Sequence, residues 1–161
     1  TLRVEDYFLD YKKTALESGE FIEKIVIPKL GQQLTPEQSE VFNAYKVSKR
    51  IDDDISAVCG AFYLKLDGKT VQEARLGFGG MAAIAKRAQH AEAALVGQVF
   101  DLETVTKAMT AMDLDFNPLS DFRASASYRM QVAQNLLKRL YLEHKNKAEA
   151  NPISLQVTHH V

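Results

Sequence analysis

Residues 55–80, ISAVCGAFYLKLDGKTVQEARLGFGG, constrain this chain more than any other stretch. Two apolar runs of strand-like composition flank Asp67-Gly68-Lys69, a short polar turn of the kind that joins antiparallel neighbours. Leu64, Leu66, Val71 and Ala74 supply one apolar face to the pair, and the glycines of GFGG at 77–80 break its second strand. Beyond Gly80 the apolar period changes from two residues to that of a helix. QHAEAALVG (89–97) suits a short helix stopped by Gly97. DLETVTKAMTAM (101–112) places Leu102, Val105, Ala108, Met109 and Met112 at helical spacing, with Asp101 as N-cap. The stretch 120–147 starts on a Ser/Asp cap and carries an amphipathic stripe of Phe122, Ala126, Met130, Ala133, Leu137, Leu140 and Tyr141.

Upstream of the hairpin, VFNAYKV (41–47) reads as another strand. EFIEKIVIP (20–28) reads as one more, with Phe21, Ile25 and Ile27 on one parity and Pro28 ending it. Residues 1–13 are apolar and aromatic without a clean period, which fits an extended or one-turn segment packed against something else. Residues 31–40 form a polar connection with a Thr-Pro helix-start signal, enough for one helical turn. The last residues, AEANPISLQVTHHV, read as a tail on the surface or on a partner. Strands followed by helices predict an α+β fold: an antiparallel sheet of about four strands with three helices packed on one face. The other face must be solvated or covered by another domain, and the apolar N-terminal segment favours the second option. A length of 161 residues fits one domain with one core.

Composition narrows the function by exclusion. Twenty basic against 21 acidic side chains leave a net charge of -1, so there is no general attraction to nucleic acid or to an anionic membrane surface. No apolar run approaches the roughly 20 residues needed to span a bilayer. No signal peptide is visible, although the missing initiator Met leaves the true start open. Cys59 is the single cysteine, which excludes an internal disulfide and a cysteine-ligated iron–sulfur or zinc site within the chain. A lone thiol fits a reducing, cytoplasmic setting, and its neighbours suggest a small buried hydrophobe on a strand.

One segment concentrates charge: Lys46, Lys49 and Arg50 precede Asp52, Asp53 and Asp54. Three adjacent aspartates suggest a divalent cation, but on an extended chain neighbours point to alternate faces and cannot all grip one ion. The oxygen spacing, bend glycine and distal Glu of an EF-hand are missing. From the residues alone, a charged surface turn with weak local ion pairs is favoured. GFGGMAAIAKRA lacks both the dinucleotide fingerprint and the Walker Lys-Ser/Thr, so its glycines read as a tight exit from the sheet. His90, His144, His159 and His160 have no nucleophile at a suggestive spacing, and neither a triad nor a carboxylate dyad can be argued.

Four blocks in order carry a resemblance: DYFLDYKKTALESGEFIEKIVIP, AYKVSKRIDDDISAV, RLGFGGMAAIAKRA and DFRASASYRMQVAQNLLKRLY. Together they cover roughly residues 5–143 and resemble the xanthine dehydrogenase flavoprotein, as in the small subunit of the bacterial enzyme. The resemblance implies the C-terminal part of the FAD-binding region of a molybdenum hydroxylase. It places the end of the FAD-binding domain, or a linking strand, at 1–30, a CO dehydrogenase flavoprotein C-terminal-like α+β domain at 31–147, and a tail at 148–161. In that family xanthine is oxidised to urate at a molybdenum cofactor, and electrons pass through 2Fe–2S clusters to FAD, where NAD+ is reduced. This chain would stand at the FAD end and would not be catalytic alone. Its implied partners are the upstream FAD-binding and iron–sulfur domains, the large subunit that holds the molybdenum cofactor, and NAD+.

By the same resemblance Lys46 matches a lysine that reaches the FAD, and Ile22 an apolar position beside the flavin. Asp53 and Asp54 match an acidic pair near the flavin and the nicotinamide approach. The family's Arg-Arg pair becomes Arg50-Ile51 here, which leaves the role of Arg50 open. Two alternatives stand beside this reading: the flavoprotein portion of another molybdenum hydroxylase that oxidises CO or aldehydes, and a non-catalytic domain that docks on partner subunits.

Overall fold

The computed structural model describes residues 1–29, 34–50 and 55–147. A one-turn helix α1 (Val4–Tyr7) leads into a small hairpin of β1 (Phe8–Asp10) and β2 (Lys13–Thr14). Three ten-residue strands follow, β3 (Gln38–Val47), β4 (Val58–Asp67) and β5 (Thr70–Gly79), then the short β6 (Lys86–Arg87). The chain ends in α2 (Gln89–Leu95), α3 (Leu102–Asp115) and α4 (Ala126–Lys147). The main sheet is antiparallel throughout, in the order β3-β4-β5-β6, and the last three helices cover one of its faces. The expected α+β architecture is what forms.

Alternation along the hairpin explains the two-layer arrangement. Phe62, Leu64 and Leu66 on β4, with Val71, Ala74, Leu76 and Phe78 on β5, are fully or almost fully buried against Leu95, Met112, Leu137 and Leu140 of the helices. Burying each large apolar side chain contributes about 1.5–3 kcal/mol, so this single face supplies most of the driving force for folding. Gly68, at φ +56, makes the turn that the Asp67-Gly68-Lys69 run predicts. The strand does not break at Gly77; it runs through Gly79 and ends at Gly80, whose φ is +83. A Cβ on Gly80 would lie 2.3 Å from the Ala57 carbonyl oxygen, so glycine is required there on two counts.

The free edge of β5 is closed by side groups as well as by β6. The Val71 and Phe100 amides bond to the carbonyls of Gln98 and Lys69, at 2.9 and 2.8 Å. The buried carboxylate of Glu92 on α2 accepts the Leu76 amide at 2.7 Å and is paired by Arg87 at 2.6 Å. Asp115, at the end of α3, accepts the His90 and Ala91 amides at 2.9 and 3.1 Å, which satisfies the first-turn donors of α2. Asp101 caps α3 as expected, accepting the Thr104 amide at 2.8 Å.

Three expectations are corrected. Residues 20–29 contain no strand, and Phe21, at 80% exposed, Ile25, Val26 and Ile27 all face outward. A strand is a pairing, and among the described residues nothing pairs with this segment. Thr35 and Pro36 start no helix; the Gln38 amide returns to the Thr35 carbonyl at 3.0 Å, a turn that feeds β3. The helix expected from 120 starts at Ala126, because Ser120 Oγ accepts the Ala126 amide and Ser125 Oγ the Tyr128 amide, at 2.8 and 3.2 Å. Phe122 therefore leaves the stripe and is exposed. The N-terminal segment forms the expected one-turn helix, and its Leu2, Val4, Leu9 and Tyr11 are exposed in this chain by itself. The tail at 148–161 lies outside the described residues.

Candidate functional site

Helices cover one face of the sheet, and no described element covers the other, open face. Directly opposed residues of an antiparallel sheet point to the same side, so the register defines this open face row by row. Glu40, Lys65 and Glu73 form a charged row near the β4–β5 turn. Phe42, Tyr63 and Arg75 follow, and Phe42 is 55% exposed. Next come Ala44, Ala61 and Gly77, and last Lys46, Cys59 and Gly79. The end of the sheet toward Gly80 is thus a floor of small side chains with one lysine at its rim.

The small residues are not dictated by the fold. A Cβ on Gly77 would meet only the Ala61 carbonyl oxygen at 3.8 Å, and one on Gly79 only the Cys59 Cβ at 3.7 Å. Neither glycine has a positive φ. Glycine inside a strand costs stability and often marks a place where a ligand or another backbone comes close. The contrast is Gly60 on the helix-covered face, where a Cβ would strike the Phe62 ring at 2.9 Å.

Lys46 is held outward by its neighbours. Asn43 and Tyr45 point to the other face, where the Tyr45 hydroxyl donates to Glu143 of α4 at 2.7 Å and Asn43 donates to the same oxygen at 3.0 Å. Arg139 pairs with Glu143 at 2.7 Å and lies over the Tyr45 ring at 4.9 Å. Burial and the Glu143 carboxylate push the Tyr45 phenol well above its ordinary range. Burial opposes the charge on Glu143, but the hydrogen bonds from Arg139 and Tyr45 prevail and lower its pKa. This half-buried cluster fixes the strand's rotation, so Lys46 is exposed and makes no ion pair or hydrogen bond with any described residue. Tyr63, on the open face, is pushed up to about 12 by burial and by its 2.8 Å hydrogen bond to Glu40.

Beyond Lys46 the chain leaves the sheet and returns through Ala57, whose amide bonds to the Val47 carbonyl at 2.8 Å. The Lys49 ammonium donates to the Phe122 carbonyl at 2.8 Å. Arg129 of α4, 5% exposed, donates to the carbonyls of Ala57 and Gly80, the latter at 3.0 Å, and to Asp121 at 2.6 Å. Burial alone would raise the Asp121 carboxyl, but Arg129 and the amides of Arg123 and Ala124 hold it far below the usual carboxylate range. Pattern reading passed over Arg129, because a basic residue in an amphipathic helix is assigned to its wet face.

The structure brings only part of the expected site together. Lys46 stands at the rim of the open floor. Ile22 is 52% exposed in the irregular segment 20–29. Asp53 and Asp54 lie outside the described residues, as do Ile51 and Asp52. Cys59 is not the buried hydrophobe expected; it is half-buried on the open face, directly across from Lys46. No metal-holding group of His, Cys, Asp and Glu occurs among the described residues. Among them, no helix is long and apolar enough to cross a membrane.

A profile of the CO dehydrogenase flavoprotein C-terminal domain matches residues 43–144, from the middle of β3 to near the end of α4. The chain belongs to that family. It is 38% identical over 146 residues to a nicotinate hydroxylase of Emericella nidulans, covering 88% of this chain and 10% of that one. It is 35% identical over 152 residues to a xanthine dehydrogenase of the same organism, covering 92% of this chain and 11% of that one. Among solved structures it is similar to the carbon monoxide dehydrogenase of Hydrogenophaga pseudoflava lacking the Mo-pyranopterin moiety, with a TM-score of 0.73 and 30% identity, covering 84% of this chain and 45% of that one. The chain thus spans about a tenth of these two curated relatives and under half of the solved chain. The family places it in the flavoprotein portion of the molybdenum hydroxylases, and its fold agrees with that solved structure.

Proposed function

We propose that this chain forms the C-terminal wall of the flavin site of a molybdenum hydroxylase, with the rest of the pocket supplied from outside residues 1–161. The observation that carries this reading is the open floor of Ala44, Ala61, Gly77 and Gly79 ending at Lys46, which pairs with no described residue. Its glycines leave room that the fold itself does not need, and its lysine presents a charge with no described partner. These residues fit a flat, electron-accepting ring system or the backbone that cradles it. FAD, when bound, supplies the electron chemistry that joins the enzyme's other redox centres to a soluble oxidant.

The residues of this chain would bind and tune that group. An ammonium at Lys46 would favour the electron-rich form of the flavin if it stood near the N1–C2=O edge, where reduction deposits negative charge. Ile22 supplies an apolar contact once the irregular segment 20–29 is covered by the upstream domain. By the family resemblance, the charges of Asp53 and Asp54 would adjust the attraction of the oxidant to the site. In this reading residues 1–30 would close the upstream FAD-binding domain and 31–147 would form the domain bearing the floor, with 148–161 assigned to neither. Iron–sulfur domains and a large subunit with the molybdenum cofactor complete the assembly, in the cytoplasm, with NAD+ as oxidant and xanthine as the first substrate to test. A second reading of the substrate is a pyridine carboxylate, favoured by the 38% identity to a nicotinate hydroxylase against 35% to a xanthine dehydrogenase. Xanthine and nicotinate are both nitrogen heteroaromatics, and turnover of the assembled enzyme with each decides between them.

The test replaces Lys46 with Met in the complete enzyme and measures FAD content and the flavin midpoint potential. A shift to more negative potential, or a loss of FAD, is expected. An unchanged potential at full FAD content refutes the placement. The isolated chain should bind FAD weakly or not at all, because one wall must offset the whole entropy cost of association. Sub-micromolar binding by calorimetry would contradict that expectation.

A further inference from the structure

The floor and its lysine are held from below by one buried cation. Arg129 stands in the first turn of α4, and its guanidinium is almost completely enclosed. One nitrogen donates to the Ala57 and Gly80 carbonyls, and the other is tied to Asp121. Those two carbonyls lie at the ends of β4 and β5 next to the Lys46–Cys59–Gly79 row. Ala57 N–H donates in turn to the Val47 carbonyl, one residue from Lys46. A continuous chain of bonds therefore runs from Asp121 through Arg129 and Ala57 to the backbone that carries Lys46. A second brace runs alongside, from Lys49 to the Phe122 carbonyl in the same 120–125 loop.

The energetic cost of this arrangement argues for a role beyond packing. A buried guanidinium is expensive to desolvate, and a hydrophobic side chain in its place is often as stabilising. Among the described residues its Nε has no hydrogen-bond partner. What Arg129 provides that a hydrophobe cannot is direction. A planar fork holds two backbone carbonyls that flank different strands in one fixed relation to a carboxylate.

We propose that Arg129, anchored by Asp121, is the positioning residue that sets the height and angle of Lys46 over the open floor. This inference rests on the flavin-site reading and deepens it: Lys46 touches the flavin, and Arg129 acts through Lys46. Replacing Arg129 lets the Ala57–Val47 end of the sheet relax, and the lysine charge moves relative to the ring.

The experiment is a double-mutant cycle in the complete enzyme, read as flavin midpoint potential alongside thermal unfolding. Arg129→Gln is expected to shift the potential in the same direction as Lys46→Met. In the Lys46→Met background, Arg129→Gln is expected to cause no further shift. Arg129→Lys is expected to recover less than half of the wild-type value, because an ammonium cannot hold both carbonyls and Asp121 at once. A purely structural arginine lowers the unfolding temperature equally in both backgrounds and leaves the potential alone, which overturns the proposal. An equal shift of potential in both backgrounds overturns it too. Should Arg129→Gln fail to fold, Asp121→Asn replaces it in the cycle with the same expected pattern, since it removes the anchor and keeps the guanidinium. Failure of the underlying reading looks different: Lys46→Met itself then leaves both FAD content and potential unchanged.

Discussion

The open floor makes opposite predictions for the chain and for the assembly, and this separates a functional surface from a structural one. Consider Gly77→Ala and Gly79→Ala together. Each new methyl enters open space, with its nearest contacts at 3.8 and 3.7 Å, ordinary van der Waals distances. Neither backbone sits in the left-handed region, so no strain is introduced. Glycine in a strand interior is about 0.5–1 kcal/mol less stable than alanine. The two sites share no close neighbour, one lying on Ala61 and the other on Cys59, so their effects should roughly add. The double variant should therefore be about 1–2 kcal/mol more stable in urea unfolding of this chain, with the midpoint raised and the slope unchanged. In the complete enzyme the same methyls occupy the space over the floor and should reduce FAD retention, and Val at either position should reduce it further. A double variant that destabilises the chain by about 1 kcal/mol or more would show that the fold needs these glycines. Full FAD retention by the Val variants would show that nothing sits against the floor.

Other consequences follow from the same contacts. Gly80→Ala should destabilise the chain by more than about 2 kcal/mol, because it combines a left-handed backbone with a Cβ 2.3 Å from the Ala57 oxygen; chemical denaturation reads this directly. Asp115→Ala should cost about 1–2 kcal/mol by uncapping α2, and hydrogen exchange should show the His90 and Ala91 amides losing protection before the α3 amides do. The carboxyl of Asp121 is depressed in the folded chain, so its contribution to stability is complete above the unfolded value of about 4 and declines as pH falls below it. The stability gap between wild type and Asp121→Asn should thus be widest at neutral pH and narrow on acidification, which urea unfolding across a pH series measures.

Much of the fold was legible because it is built from local signals. The β4–β5 hairpin follows from alternation around Asp67-Gly68-Lys69, and α3 from its period and the Asp101 cap. Failures occur where a distant partner decides. The alternation of Phe21, Ile25 and Ile27 is a true strand pattern, but no described segment pairs with it, so it stays irregular and exposed. The start of α4 depends on Ser120 and Ser125 hydroxyls competing for the first amides, which an apolar stripe does not record. Arg129 is buried because its partners are carbonyls 72 and 49 residues away. At the site, the resemblance pointed to Lys46, and the structure adds the reason for its orientation, the alternation with Asn43 and Tyr45 locked to Glu143. The floor itself was missed, because Gly77 and Gly79 read as strand breakers when they are strand residues on an open face.

The account depends on what faces Lys46 in the complete enzyme. A structure of the intact assembly with FAD bound measures that separation directly. A Lys46 ammonium within about 3–4 Å of the flavin ring, with the Ala61–Gly77 row beneath the pocket, is the predicted result. A separation beyond about 10 Å, where an ionic contact would be largely screened, contradicts it.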